Sequence, residues 1–256
     1  FNTISGNSLN NNNNIGAGEG YGLIIATATC IENVVASNNW NGNDIDIHDI
    51  GVGTTVEYYV QNVDELQDAI NSIGSGAGII NINSSFNVSA TIVIDANGSY
   101  LIEGEGDNTV LTTVGDIKCF DIDIARQVVL RNFKVNASSL TTVAKEIIDV
   151  NENNNNLIVF DNVSITGDGT HGYGIELNSN NCRINNCNID NVSIGVNVLG
   201  NDNTVQGNAI SSCNTYGIQI KGVKNSLYDN ESDSNAVGIY LDTGDYNQID
   251  GIMWKA

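Results

Sequence analysis

The sequence of 256 residues contains no proline, although it has 27 glycines and is rich in asparagine throughout. Proline interrupts the hydrogen-bond ladders of a sheet, whereas asparagine and glycine are favoured in tight turns. A chain without proline that is rich in asparagine and glycine is typical of a sheet-rich fold with turns made by Asn and Gly.

Basic residues are also scarce, since 9 Lys and Arg stand against 30 Asp and Glu, for a formal net charge of -21. Nucleic acids and anionic membrane surfaces bind proteins largely through cationic side chains. The composition therefore excludes nucleic acid as an expected partner. Charged residues make up only 15% of the chain and hydrophobic ones 41%, so the sequence is not a disordered acidic tail.

Long apolar runs are absent as well. The most apolar stretch, residues 23–31, is interrupted by Thr and Ala and is shorter than a membrane span. No basic segment followed by an apolar one opens the chain, and its first residue is Phe1 rather than Met. We therefore expect no membrane insertion, a processed or excised chain, and an extracellular or cell-surface location.

What the sequence does contain is a repeat. Four glycines, at positions 174, 195, 217 and 238, follow one another at intervals of 21, 22 and 21 residues. Each is followed by apolar residues at alternate positions, such as Ile175 and Leu177 or Val196 and Val198. Alternation with a period of two predicts a strand with one buried face in every repeat.

A second apolar pair follows each of these strands, as with Val205 and Ile210, which are five residues apart. Most repeats carry Asn or Cys two positions before the first apolar residue and three after it. The inward positions change parity between the two, so a corner must separate them. Units of this kind predict an all-β fold, a right-handed parallel β-helix whose stacked turns share a core and carry asparagine ladders along the axis.

Five cysteines occur in the chain. Cys182 and Cys187 occupy the two positions that carry Asn in later repeats, and the extended chain between them holds their Cα atoms too far apart for a disulfide. They are predicted to be free, buried thiols. Cys30, Cys119 and Cys213 have no partner that the sequence reveals.

One amphipathic helix is predicted at residues 62–73. Asn62 is a favourable N-cap, and Glu65 stands at the capping-box position. One face carries the apolar residues Val63, Leu66, Ala69, Ile70 and Ile73. Gly74 is expected to end it. Such a helix ahead of a solenoid is the expected lid on its first turn.

The helix, the Gly-rich segment "GSGAGIINI" after it and the Asn-rich repeats together resemble the pectate-lyase-like superfamily, over roughly residue 60 to the C-terminus. The repeats are similar to those of periplasmic copper-maturation-type proteins, archaeal surface-layer proteins and phage tailspikes. The resemblance implies the fold. It leaves the function open, because that superfamily includes lyases, hydrolases, epimerases, adhesins and structural proteins.

Two regions are predicted. Residues 56–256 form the β-helix domain, and residues 1–55 form a leading segment that begins in the repeat register, with "FNTISGNSL", and continues through an irregular link. We hypothesise that this leading segment lies against the solenoid or a neighbouring copy and serves as an assembly element.

One candidate binding surface is the outward column of the Gly-anchored strands, namely Glu176, Asn197, Gln219 and Tyr240. A long polar face that crosses several turns suits a saccharide chain. The same residue types also suit an ordinary solvated sheet face, so both interpretations stay open.

Two further groups are candidate metal ligands. Asp44, Asp46 and His48 alternate with isoleucines along one predicted strand, and Asp229 and Asp250 lie in the C-terminal repeats. Carboxylates and imidazole bind divalent ions, and clustered oxygen ligands suit calcium. The alternative for the first group is an edge strand whose polar residues face outward. The alternative for the second group is ordinary solvated carboxylates. No cofactor is expected to be required, and calcium is the candidate ion.

Polysaccharide lyases of the superfamily use acidic residues with an Arg or Lys base, and the related hydrolases use carboxylates on adjacent turns. No such constellation is recognisable in the sequence. We therefore predict a non-catalytic extracellular structural or surface protein, such as a filament, sheath, surface-layer block or adhesin, that assembles with copies of itself head to tail or laterally. The alternative is a carbohydrate-binding or polysaccharide-degrading β-helix protein such as a tailspike.

Overall fold

The structure is a computed structural model that describes residues 3–10, 21–25, 33–36, 38–41, 45–49, 54–142, 145–151 and 157–255. These residues form short strands, one α-helix and one 3-10 helix at Gly106–Asn108. The elements of the first part of the chain are β1 (Thr3–Ser5), β2 (Ser8–Asn10), β3 (Tyr21–Ile25), β4 (Val34–Ala36), β5 (Asn39–Asn41), β6 (Ile45–Asp49), β7 (Thr55–Val60), α1 (Val63–Ile73), β8 (Ala77–Ile82), β9 (Phe86–Val88), β10 (Ile92–Ile94), β11 (Ser99–Glu103), β12 (Val110–Thr113), β13 (Phe120–Ile122) and β14 (Gln127–Asn136).

The second part of the chain continues with strands alone. They are β15 (Glu146–Val150), β16 (Leu157–Thr166), β17 (Tyr173–Leu177), β18 (Arg183–Asn185), β19 (Asn188–Asp190), β20 (Ile194–Val198), β21 (Thr204–Gln206), β22 (Ala209–Ser211), β23 (Tyr216–Ile220), β24 (Ser226–Tyr228), β25 (Glu231–Asp233), β26 (Ile239–Leu241), β27 (Gln248–Asp250) and β28 (Met253–Lys255). In the described part of the chain, no helix has the length and apolarity that a membrane crossing requires.

Each turn contributes up to three strands, and equivalent strands of successive turns pair in parallel. One sheet, here called the front sheet, consists of β10, β13, β15, β17, β20, β23 and β26. A longer sheet wraps around the other two sides through β14 and β16, which are continuous across the corner that divides β18 from β19 in the next turn. The predicted all-β parallel solenoid is confirmed.

The glycine anchors of the front sheet lie directly above one another. Tyr173 pairs with Ile194 and Ile194 with Tyr216, which places Gly174, Gly195 and Gly217 in one column. A Cβ built on Gly174 lies 2.5 Å from the carbonyl oxygen of Gly195, so the backbones approach too closely for a side chain. The close approach of neighbouring backbones therefore requires glycine at this position of each front-sheet strand.

The corner predicted within the second apolar pair of each repeat is also present. It lies two residues after the first apolar residue of that pair. Asn186 has φ 54° and Asp229 has φ 52°, both in the left-handed region. The same corner of other turns is formed by Asn132, Asn162, Gly207 and Gly251, each also with positive φ. Asn, Asp and Gly occupy this backbone conformation most readily, which explains why the corners of the sequence are rich in them.

Buried asparagines form ladders between turns, as the repeat predicts. Asn225, which is fully buried, accepts a hydrogen bond at Oδ1 from the backbone N–H of Asn203 (2.8 Å) and donates from Nδ2 to the carbonyl of Gly200 (3.1 Å). Asn230 does the same in the next column, for Asn208 N–H (3.1 Å) and the carbonyl of Val205 (2.8 Å). Each side chain thus satisfies backbone groups that the corner leaves without a ladder partner.

Cys182 and Cys187 are free and buried, which confirms the prediction, and they stand next in these ladders. Their backbone N–H groups donate to Asn203 Oδ1 at 2.7 Å and Asn208 Oδ1 at 2.8 Å. Cys119 and Cys213 are free and buried as well. Their packing among apolar side chains makes these thiols part of the core.

Helix α1 forms where the sequence predicts it. Asn62 accepts from the Glu65 N–H at 2.9 Å, Glu65 in turn accepts from the Gln61 N–H at 2.8 Å, and Gly74 ends the helix with φ 51°. Its position differs from that of a lid on a first turn, because β1 pairs with β4 and β4 with β7, the strand before the helix. Helix α1 itself contacts β6, β7, β8 and β10. A helix with one apolar face can replace outer strands of a single turn without ending the stack.

The strands of the leading segment join the long sheet beside that turn. Val35 in β4 pairs with Val56 in β7, and Ile4 in β1 pairs with Val35. This part of the leading segment therefore lies against the solenoid, next to β7. Its role as an assembly element stays a prediction.

Candidate functional site

The structure brings the four predicted front-sheet residues into one column. Glu176 pairs with Asn197, Asn197 with Gln219, and Gln219 with Tyr240, on β17, β20, β23 and β26. Neighbouring strands in such a ladder lie about 4.8 Å apart, so the four side chains follow one another along the axis. Their role in binding stays a prediction.

Two members of this column are buried, whereas Glu176 is partly exposed and Tyr240 is 37% exposed. Asn197 is only 3% exposed and Gln219 7%. Tyr216 and Tyr240 stack beside them, with ring centroids 4.6 Å apart and an angle of 9° between the planes. Side chains on neighbouring strands shield each other from water. The sequence shows that these positions face outward, but it does not show this shielding.

The column continues toward the N-terminus through two carboxylates that the sequence analysis did not align with it. Glu176 pairs with Asp149, and Asp149 with Asp121. The available signal was the apolar alternation around each aspartate, in "FDIDI" and "EIIDV". Loops of uneven length separate these earlier turns, so the repeat period does not align them.

Lys118 holds this part of the column together. Its Nζ makes an ion pair with the carboxylate of Asp149 and lies 3.7 Å from both Asp121 Oδ2 and Glu146 Oε2. We call Asp121, Glu146, Asp149 and Glu176 the carboxylate cluster. Three of these carboxylates make ion pairs with the one ammonium group and Glu176 lies on the next turn, so the surplus of charge is negative.

Burial raises the pKa of Glu176, and the charges of Glu146 and Asp149 raise it further against the opposing effects of Asn197 and Lys118. The pKa of Asp149 is raised by burial too, which outweighs its ion pair with Lys118. Burial and the charges of Glu176 and Glu146 also raise the pKa of the neighbouring Tyr173. Burial is the largest cause of each pKa shift, and the neighbouring negative charges add to it.

The side chain of Asn197 links this cluster to the amide part of the column. Its Nδ2 donates to Glu176 Oε2 at 2.6 Å, whereas its Oδ1 is buried and has no hydrogen-bond partner. An unpaired buried acceptor costs about 1–3 kcal/mol. This atom is therefore a position at which a donor would be stabilising.

The long sheet carries a separate open groove of about 780 Å³ at its corner. It is lined by Asp161, Arg183, Asn185, Asn186, Thr204, Gln206, Gly207 and Asp229.

Asp229 and Asp250, predicted as metal ligands, lie near each other in successive turns. The Asp229 backbone N–H donates to the Asp250 carbonyl at 3.1 Å, and the Asp250 carboxylate accepts from the Gly251 N–H at 2.8 Å. The two residues are not joined by a third ligand, since the described residues contain no group of three or more His, Cys, Asp or Glu that is arranged to hold a metal ion.

The other predicted metal group lies mostly beyond what the structure describes. Asp44 is outside the described residues, and Asp46 and His48 are described only as backbone, within strand β6. Strand formation there matches the alternation in the sequence, and a metal site on these three residues stays a prediction.

Comparison with known proteins gives one family match. The family described as "Periplasmic copper-binding protein (NosD)" matches residues 121–251, just over half of the chain, from β13 to β27. A search of curated protein sequences finds no match. Among solved structures, the ORF18 protein of Geobacillus virus E2 is 15% identical over 76% of this chain, with a TM-score of 0.38, and this chain covers 60% of its length. The parallel strand columns and the family match agree, and the chain belongs to the NosD family of right-handed parallel β-helix proteins.

Proposed function

We propose that this chain is a non-catalytic surface or structural protein of the cell exterior or periplasm, and that its front sheet binds a saccharide chain. The observation that carries the proposal is the front-sheet column, in which Asp149, Glu176, Asn197, Gln219 and Tyr240 follow one another on successive turns. The family description, which names the periplasm, supports the location.

Saccharides are recognised through hydroxyl groups, which donate and accept hydrogen bonds, and through their apolar ring faces, which pack on aromatic side chains. The partly exposed Glu176 and Tyr240 provide the two kinds of contact in line, and the buried Asn197 and Gln219 lie between them. Carboxylate and amide groups occupy four successive turns, from Asp149 to Gln219, and Tyr240 on the next turn stacks on Tyr216. Because the strands pair in register, the backbone holds this spacing rigidly, so little conformational entropy is lost on binding.

Copper, which the family description names, does not fit the described residues. Copper favours thiolate, thioether and imidazole ligands. Burial raises the pKa of Cys182 to about 11 and of Cys187 to about 12, so these thiols stay protonated. His171 Nδ1 lies 2.6 Å from Asp168 Oδ2, and it is not part of a group of possible metal ligands among the described residues. We derive no copper chemistry for this chain.

Replacing Tyr240 by alanine should weaken saccharide binding at least tenfold, about 1.4 kcal/mol, because it removes one ring of the stacked pair. The measurement is a glycan array followed by calorimetry on the oligosaccharides that bind. Tyr228→Ala is the matched control, since Tyr228 lies on the long sheet, and it should leave the affinity unchanged.

Equal losses for the two tyrosine variants, or no binding to any saccharide, would contradict the proposed front-sheet site. Release of reducing ends or unsaturated sugars by the native chain, abolished by Glu176→Gln or Asp149→Asn, would show that the protein is an enzyme instead.

Self-association is a second candidate function, which the last described turn favours. Leu241, Met253 and Trp254 are exposed by 51%, 57% and 60%, whereas Ile220, the partner of Leu241 one turn earlier, is fully buried. Burying apolar surface gains about 25 cal/mol per Å², so a second copy stacked on this turn would be stabilised.

Trp254→Asp combined with Leu241→Asp should therefore shift the protein from assemblies to monomers in sedimentation velocity and negative-stain images. Val114→Asp is the control, because Val114 is exposed to a similar degree (51%) but lies far from the last turn in sequence and stack. A native chain that stays monomeric at every concentration tested would exclude this function.

A further inference from the structure

We infer that the front-sheet site selects a saccharide with free amino groups, and that the sugar ammonium binds between the carboxylate cluster and Asn197. The inference rests on the proposed saccharide-binding function and specifies the chemical class of the ligand. It depends on the balance of charge at the site, on its balance of donors and acceptors, and on the unpaired amide oxygen.

The charge of the site favours a cation. Among the described residues Lys118 makes ion pairs with Asp121, Glu146 and Asp149, whereas its charge acts on the Glu176 carboxylate without an ion pair. The side chain of Asp149 is only 8% exposed and that of Glu146 20%. Charges that are partly withdrawn from water interact more strongly than exposed ones, so an additional cation would be stabilised here.

The donors and acceptors of the site are unbalanced in the same direction. Ionised carboxylates only accept hydrogen bonds, and the Oδ1 of Asn197, in a side chain that is 97% removed from solvent, also lacks a donor. An ammonium group has three donors and no acceptor. Such a group at Glu176 can replace the Asn197 Nδ2 donor. Rotation of the amide would then turn Oδ1 toward the ammonium and Nδ2 toward the position that Oδ1 occupies now.

Other ligand classes match the site less well. A polyuronate would bring carboxylates against the cluster, and like charges in a poorly solvated site repel strongly. A divalent metal would compete with the Lys118 ammonium for the centre of the cluster, and the described residues contain no arrangement of three His, Cys, Asp or Glu that fits one. A neutral saccharide leaves the surplus negative charge unmatched.

The test compares three short oligosaccharides of equal length by calorimetry: a fully deacetylated glucosamine oligomer, its N-acetylated counterpart and a galacturonate oligomer. The amino form should bind at least tenfold more tightly than the N-acetyl form, and the galacturonate should not bind. Glu176→Gln, which keeps the size of the side chain, should reduce the preference for the amine at least fivefold while thermal unfolding shows an intact fold. Raising the salt concentration should weaken the amine preference as well.

Asp229→Asn is the matched control, because a chain of net charge -21 attracts any polycation. Asp229 lies at the corner of the long sheet, so its variant should keep the full preference for the amino form. An equal loss in Glu176→Gln and Asp229→Asn would indicate nonspecific attraction and overturn the inference. Equal or tighter binding of the N-acetyl form would overturn it while leaving the saccharide function intact, and absence of binding to all saccharides tested would overturn both.

Discussion

Replacing Gly195 by alanine should lower the free energy of unfolding by about 3 kcal/mol or more. A Cβ at this position lies 2.5 Å from the carbonyl oxygen of Gly217 and 2.5 Å from Cγ2 of Ile210. The first neighbour is backbone that also belongs to the strand ladder, so relief of the clash must separate β20 from β23. Urea denaturation followed by circular dichroism measures the loss.

Gly115→Ala is the control for this substitution. Gly115 has φ +88°, and nothing lies within 4 Å of an added Cβ, so its replacement introduces backbone strain without a clash. We expect a cost of about 1 kcal/mol there. If the two variants were destabilised equally, close stacking of the glycine column would not be the reason that position 195 requires glycine.

The second large effect is expected for Asn225→Ala, which should cost about 2–4 kcal/mol. The substitution leaves the N–H of Asn203 and the carbonyl of Gly200 without their present partners in a part of the molecule that is fully buried. It also leaves a cavity between turns, which adds to the cost. Thermal unfolding should show the same order of stability as denaturation in urea.

Asn178→Ala provides the comparison, because Asn178 is an exposed asparagine of the same β-helix. Its loss should change stability by less than about 0.5 kcal/mol. A small effect at Asn225 would mean that water replaces the amide in the ladder, and the ladder would then not stabilise the stack.

The family match and the candidate site cover the same part of the molecule. Residues 121–251 include the whole front column, from Asp121 through Tyr240, whereas Lys118 lies just before the matched region. The contacts of Lys118 are therefore seen in the structure of this chain and are not part of the family match. Lys118 is also the residue that makes the cluster a partly neutralised site rather than a group of four repelling carboxylates.

Most of the architecture could be predicted from the sequence because its causes are local. A strand with one buried face shows in the alternation of Ile175 and Leu177. The corner shows in the change of parity between Val205 and Ile210, and the N-cap shows in Asn62 followed by Glu65 three residues later. Regular spacing of 21 or 22 residues then aligned Glu176, Asn197, Gln219 and Tyr240 across turns.

The position of the helix within the stack could not be predicted from the sequence in the same way. Its amphipathic face predicts that α1 covers apolar residues, but a lid on a first turn and a replacement for strands inside the stack bury the same face. The pairing of β1 with β4 and of β4 with β7 decides between them, because it places further turns ahead of the helix.

The sequence by itself determined the period, the corners, the ladders and the chemical types that face outward, since each follows from a local pattern that recurs at a nearly constant interval of 21 or 22 residues. Tertiary structure alone decided that Asp121, Asp149 and Glu176 lie side by side, that Lys118 lies among them, and that Asn197 is buried with one acceptor unpaired. The physical reason is that loops of different lengths leave the solenoid between these turns. Which residues become neighbours along the axis is then set by pairing between strands, and not by their spacing in the chain.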